Sequence, residues 1–226
     1  MQSRVNFSSS KFNSSRQDLQ RKLKCLRQDI LRMGALVEQA CRLSHRALFD
    51  RDLAAAQALI KLDKQIDRFY RQIESDSIML LTLQAPVAQD CRVLGAFMQL
   101  VRDLERIGDY AKDLAEIAVK LFPYPPLDCM SEIERMSRET QAMLAMSLKA
   151  LVDLDPEAGH QMKQKDTTVD DAYDRLYQRL AYQRNYPGIL EPVLLVTLAI
   201  RHLERMADHA TNIGQRVTYI VTGQRG

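Results

Sequence analysis

The chain repeats one acidic helical pattern at long range. Asp63 and Asp67 stand four residues apart in D-K-Q-I-D, and Asp166 and Asp170 do the same in D-T-T-V-D. Glu105-Arg-Ile-Gly-Asp109 is matched by Glu204-Arg-Met-Ala-Asp208. The first motifs are offset by 103 residues and the second by 99. Residues four apart share a helix face, so each half supplies two helices that each carry a pair of stacked carboxylates. At offset 103 Met33 also matches Met136, Ala47-Leu48 matches Ala150-Leu151, Asp52 matches Asp155 and Tyr70 matches Tyr173. The change of offset places four fewer residues in the second half, in the connection between its last two helices. A duplication with so long a period gives two similar helical units rather than a solenoid.

The breaks between apolar stripes divide the chain into six helices. Residues 1–16 are rich in Ser and Asn and read as a flexible polar tail. From Leu19 the stripe Leu19, Leu23, Leu26, Ile30, Met33, Val37, Ala40 alternates steps of four and three, the seam of a helix packed nearly parallel to its neighbours. This helix runs to about Phe49. Asp50 and Asp52 open a second helix that reaches about Leu83. Gln84-Ala85-Pro86 breaks it, and Pro86 suits the first turn of a third helix to about Leu121. Phe122-Pro123-Tyr124-Pro125-Pro126 cannot continue a helix and separates the halves. A fourth helix spans about 128–153. Asp155-Pro156-Glu157 has the cap, proline and acidic first turn of a fifth, which runs to about Arg184. Asn185-Tyr186-Pro187-Gly188 is the next break, and a sixth helix ends near Val221 before Gly223. The expected architecture is all-α: two pseudo-symmetric three-helix bundles at 17–122 and 127–223.

Composition narrows the function. The formal net charge is only +3 and no basic run stands out, so nothing favours nucleic acid. The N-terminus lacks the apolar segment of a signal peptide. The longest apolar stretch, near Val193–Ile200, is far short of a membrane span. A cytoplasmic protein is expected. Cys25, Cys41, Cys91 and Cys129 form no C-x-x-C and have no zinc-finger spacing. They read as reduced thiols, buried as small hydrophobes. No Ser-His-Asp set, Gly-rich phosphate loop or H-E-x-x-H is present, and the E-x-x-H of di-iron bundles is missing because Gly108 and Ala207 stand three after Glu105 and Glu204.

The carboxylates are the candidate site. If helices two and three run antiparallel, Asp63 and Asp67 face Glu105 and Asp109, and Asp166 and Asp170 face Glu204 and Asp208. Four close carboxylates repel one another and retain protons unless a cation neutralises them. Oxygen-only sites suit Mg, Ca or Mn, and a nearby imidazole such as His209 moves the preference towards Fe or Zn. The competing explanation is ion pairing with Lys64, Arg68, Arg106 and Arg205. A carboxylate-site metalloenzyme and a metal-free helical scaffold are the alternatives of function. His45 and His160 read as ordinary surface or hydrogen-bonded residues.

The segments LDKQID (62–67), QAPVAQDCRVLGAF (84–97), DLERIGDYAKDLAEIA (103–118), KDTTVDDAYDRL (165–176) and HLERMADHATNIGQRVTYIVTG (202–223) closely resemble the PhoU family of phosphate-transport regulatory proteins. The resemblance covers roughly residues 19–223. It implies two three-helix bundles, commonly paired as a homodimer, in a non-enzymatic negative regulator of phosphate uptake and phosphate-starvation signalling. It implies two partners: the ATPase subunit of a phosphate ABC importer and a membrane sensor histidine kinase. Association with the membrane would be peripheral and through them. Some members carry iron or zinc clusters on E/D-x-x-x-D motifs, which implies metal ligands (Fe, Zn, Mn or Mg) at Asp63, Asp67, Glu105, Asp109, Asp166, Asp170, Glu204 and Asp208. Two departures stand out: Cys91 where the family often has Leu, and Asp113 where the pattern has Asn, as Asn212 does in the second half. With no phosphate cradle among the motifs, phosphate is expected to be sensed by the partners.

Overall fold

The computed structural model describes residues 3–83, 86–182 and 188–224, with side chains from Arg16 onward. Six helices follow in order: α1 Ser3–Phe49, α2 Leu53–Leu83, α3 Ala88–Leu121, α4 Met130–Asp153, α5 Ala158–Ala181 and α6 Glu191–Thr222. Helices α1–α3 form one three-helix bundle and α4–α6 the other, and α3 packs on α6 where they join. The fold is the all-α, duplicated architecture expected from the sequence.

The α1 stripe is buried throughout, from Leu19 to Ala40. The helix also extends further than the stripe. Its backbone is helical from Ser3, so the polar segment continues α1 instead of leaving it. Once a helix has formed, adding residues costs little, even for weaker helix formers such as Ser and Asn. The breaks at Gln84-Ala85 and at Asn185 to Pro187 fall outside the described residues, as does the expected end of α5 at Arg184. Pro86 precedes α3 by two residues, with Val87 at the cap position. Pro156 likewise sits in a turn before α5, because Ala158 N–H bonds back to the Asp155 carbonyl at 3.4 Å.

The duplication reaches the backbone. The two positive-φ residues other than Gly among the described residues are Arg51 at 55° and Leu154 at 53°, which are 103 positions apart. Each is followed by an Asp that accepts a backbone N–H: Asp52 from Ala55 at 3.0 Å and Asp155 from Glu157 at 2.9 Å. The first of these turns is tied to the inter-bundle link. Arg51 donates to the carbonyls of Phe122 and Tyr124, and the Tyr124 hydroxyl donates to Glu191 at 2.6 Å.

One hydrophobic core runs through both bundles. Helix α3 is central to it, with Leu94, Leu100, Val101, Leu104 and Ala111 fully enclosed. Cys41 and Cys129 are buried as expected, but Cys25 and Cys91 are exposed. Cys25 falls between Leu23 and Leu26, one step off the buried ridge. Burial raises the pKa of the Cys41 thiol to about 12, which makes it inert. His45 joins α1 to α4 through the Ser137 hydroxyl at 3.0 Å, and His160 pairs with Gln164 on the surface. Among the described residues no helix is long and apolar enough to cross a membrane.

Helices α5 and α6 approach closely at Gly214. A Cβ there would lie 2.5 Å from Met162 Cγ and 3.1 Å from the Ala158 carbonyl oxygen. Gly214→Val should therefore force the two helices apart and destabilise the protein by about 1–3 kcal/mol or more. Urea unfolding followed by circular dichroism measures this; an unchanged midpoint would show that the approach is not a tight one.

Candidate metal centre

Both acidic clusters assemble as their spacing implies, on facing helices, but their surroundings differ. In the first, Asp63 and Asp67 of α2 meet Glu105 and Asp109 of α3. Burial raises the pKa of Glu105, and the Asp109, Asp67 and Asp63 charges add to this against the pull of Arg106. Asp109 is raised by burial too, with Asp63 and Asp113 contributing. Every carboxylate here has a cationic partner. Lys112 donates to the buried Asp63 at 2.9 Å. Arg106 reaches Asp109 at 3.4 Å and Glu105 at 3.6 Å, and Arg71 reaches Asp67 at 3.6 Å. The bond to Asp63 holds the Lys112 ammonium above its ordinary pKa. This half thus carries an ammonium bonded to Asp63 and felt by Asp109.

In the second cluster, oxygens of Asp166, Asp170 and Asp208 lie within 4.8 Å of one another. The position equivalent to Lys112 is Thr211, 99 residues on, so the internal ammonium is missing. The effect is visible in the electrostatics. Burial, then Asp170 and Asp208, push Asp166 up to about 6. Burial and Asp208 also raise Asp170, and burial, Asp208 and Asp170 raise Glu204. Among the described residues Arg205 pairs with Asp208 at 3.0 Å and Arg201 with Glu204 at 2.7 Å, and Lys163 lies beside Asp166 close enough to lower its pKa without an ion pair.

Three buried oxygens in this half are left without a hydrogen bond: Asp166 Oδ1, Glu204 Oε2 and Thr211 Oγ1. The Thr211 hydroxyl is near enough to draw the Asp166 pKa down slightly, without the geometry of an ordinary hydrogen bond. Buried polar atoms are normally satisfied; of these exceptions Asp166 and Thr211 line one cavity, and Glu204 does not. The first cluster has none among its four carboxylates. Oxygens on opposite sides of a six-coordinate magnesium stand roughly 4 Å apart, so small side-chain movements would let the trio share one ion. A cavity of about 280 Å³ adjoins Asp166 and Asp208.

His209 lies beside that cavity but stands outside the carboxylate trio. Its Nδ1 is 2.8 Å from Asp103 of α3, across the joint between the bundles. Tyr110, the residue equivalent to His209, lies 5.4 Å from His202 and 5.9 Å from His209 between ring centroids. The sequence reading passed over Lys112, Thr211 and Asp103. The Lys112–Thr211 difference was readable from the offset of 99, whereas the Asp103–His209 contact joins residues 106 apart and needs the fold.

The raised Asp166 pKa fixes a sign. More protons are held by the folded protein than by the unfolded chain between pH 3.8 and about 6, so stability falls as pH rises through that window and stays lower above it. Metal-free Asp166→Asn should match the wild type near pH 4 and melt at higher temperature near pH 7. Thermal denaturation of both across this range checks it; a variant that is less stable at pH 7 would refute the repulsion.

Comparison with known proteins places the chain in a family. The PhoU domain family matches residues 30–118 and 133–217. The phosphate-specific transport system accessory protein PhoU homolog of Synechocystis sp. is 60% identical over 213 residues, covering 94% of this chain and 95% of that protein. The homolog of Pseudomonas aeruginosa is 33% identical over 210 residues, covering 92% and 86%. The crystal structure of PhoU from Pseudomonas aeruginosa superposes with a TM-score of 0.87 at 32% identity, covering 91% of this chain and 99% of that one. The phosphate transport system regulatory protein PhoU from Streptococcus pneumoniae gives a TM-score of 0.85 at 27% identity, covering 92% and 99%. The chain belongs to the PhoU family.

Proposed function

We propose that this member of the PhoU family is a regulatory accessory protein of a phosphate-specific transport system, acting as a non-enzymatic adaptor. The observation that carries this is near-complete coverage, at 60% identity, of a relative bearing that name. In this reading the chain restrains phosphate uptake and starvation signalling by docking on the importer ATPase and on a sensor histidine kinase. It works in the cytoplasm, as a homodimer, and meets the membrane only through those partners.

The two acidic clusters have different tasks. The second takes a hard divalent cation, Mg or Mn, on Asp166, Asp170 and Asp208, with the orphaned oxygen of Glu204 nearby. Bound there, the ion would supply the charge that these acids lack and tie α5 to α6. With no imidazole among the trio, iron and zinc are less favoured. Asp63, Asp67, Glu105 and Asp109 form the ion-paired counterpart, held by Lys112, Arg106 and Arg71. The metal-free scaffold reading therefore has direct support in the first half, where an ammonium stands among the acids.

Two measurements test this. After reconstitution with Mn, elemental analysis should find one equivalent in the wild type and in Asp63→Asn/Glu105→Gln. Asp166→Asn/Asp208→Asn should hold almost none, and Lys112→Thr should admit a second. In the host cell, deleting the gene should switch on starvation genes in phosphate-rich medium. The wild-type gene should restore repression. Normal repression in the deletion strain would exclude the regulatory role.

A further inference from the structure

Between the bundles, α3 and α6 flank a cavity of about 560 Å³ that neither acidic cluster forms. Four arginines line it: Arg102 and Arg106 from α3, Arg205 and Arg216 from α6. Asp103 is the one acidic residue of the lining and is bonded to His209 through Oδ1. Arg106 and Arg205 share their charge with the flanking clusters. Arg102 and Arg216 form no ion pair with a carboxylate among the described residues. Arg216 Nε is buried and has no hydrogen-bond partner. Arg102 and Arg216 line the cavity with charge that no carboxylate among the described residues offsets, and an oxyanion in the cavity would supply that counter-charge.

We propose that this cavity binds a phosphoryl oxyanion, free or as a monoester, with Arg102 and Arg216 as its principal anchors. Guanidinium forks match the oxygens of a tetrahedral anion in both charge and shape. Arg106 and Arg205 complete the positive rim. Asp103 provides the selectivity. Its Oδ2 can accept a hydrogen bond from a phosphate that still carries a proton, while sulfate, fully ionised near neutral pH, brings only repulsion. The cavity lies where the two bundles meet, so an anion held from both α3 and α6 would brace the joint between them. This site would give the chain its own contact with phosphate, in place of sensing left wholly to partner proteins.

The test is calorimetric titration of the metal-free full-length protein at low salt with orthophosphate, glycerol phosphate and sulfate. Saturable binding of one or both phosphates is expected, and which of them binds distinguishes a free from an esterified ligand. Arg102→Ala/Arg216→Ala should weaken it by roughly tenfold or more, with the helical circular dichroism signal unchanged. Sulfate should bind at least roughly tenfold more weakly than phosphate, and Asp103→Asn should narrow that gap. No saturable binding of either phosphate to the folded wild type, or undiminished binding in the folded double variant, would overturn the proposal. Equal affinity for sulfate and phosphate would overturn the role given to Asp103.

Discussion

The packing of α3 against α6 is the contact on which the rest of the structure depends. Among the described residues each buries more side chains than any other helix of its bundle, and together they carry the core from one half into the other. They run antiparallel, so Asp103 meets His209 and Tyr110 meets His202. Those four residues are two equivalent pairs under the duplication: Asp103 corresponds to His202, and Tyr110 to His209. The two equivalent contacts now differ, with an acid against an imidazole on one side and a phenol against an imidazole on the other. Asp103 and His209 satisfy each other by a hydrogen bond, whereas His202 meets Tyr110 through its ring and leaves Nδ1 without a hydrogen-bond partner.

A difference between the halves also separates the acidic clusters chemically. The motif residues survive in both halves, but the residue three after the last acid is Lys112 in one and Thr211 in the other. An ammonium 2.9 Å from Asp63 supplies by a side chain what the second half lacks. The second half keeps its repulsion, visible in the raised Asp166 and the orphaned oxygens. Matching motifs thus give one cluster with a lysine bonded to its carboxylates and one with a threonine in that place.

Much of the fold was legible because helices announce themselves locally. The α1 stripe, the proline-rich link at 122–126 and the cap at Asp52 each rest on a few neighbouring residues, whereas Asp155 shapes the turn before α5 and the cap position itself falls to Glu157. Where local signals were weak, the reading was less accurate. The Ser- and Asn-rich start of α1 has no stripe to show a helix, and Cys25 looks apolar by its neighbours although it turns outward. The facing of the carboxylate pairs followed from spacing plus an antiparallel hairpin. Arg106 and Arg205 were legible as their ion-pair partners, whereas Lys112 was not, because it lies 49 residues from Asp63 in the chain. The arginine-lined cavity is assembled from scattered single residues of two helices, which no run of charge could reveal.

The inequivalence of the two halves is the central claim, and the position of a bound ion tests it most directly. Crystals of the manganese-loaded protein, measured at the manganese absorption edge, would show where the metal sits. The account predicts a single anomalous peak per chain, among Asp166, Asp170 and Asp208. A peak of equal height among Asp63, Glu105 and Asp109, or one found only there, would contradict it.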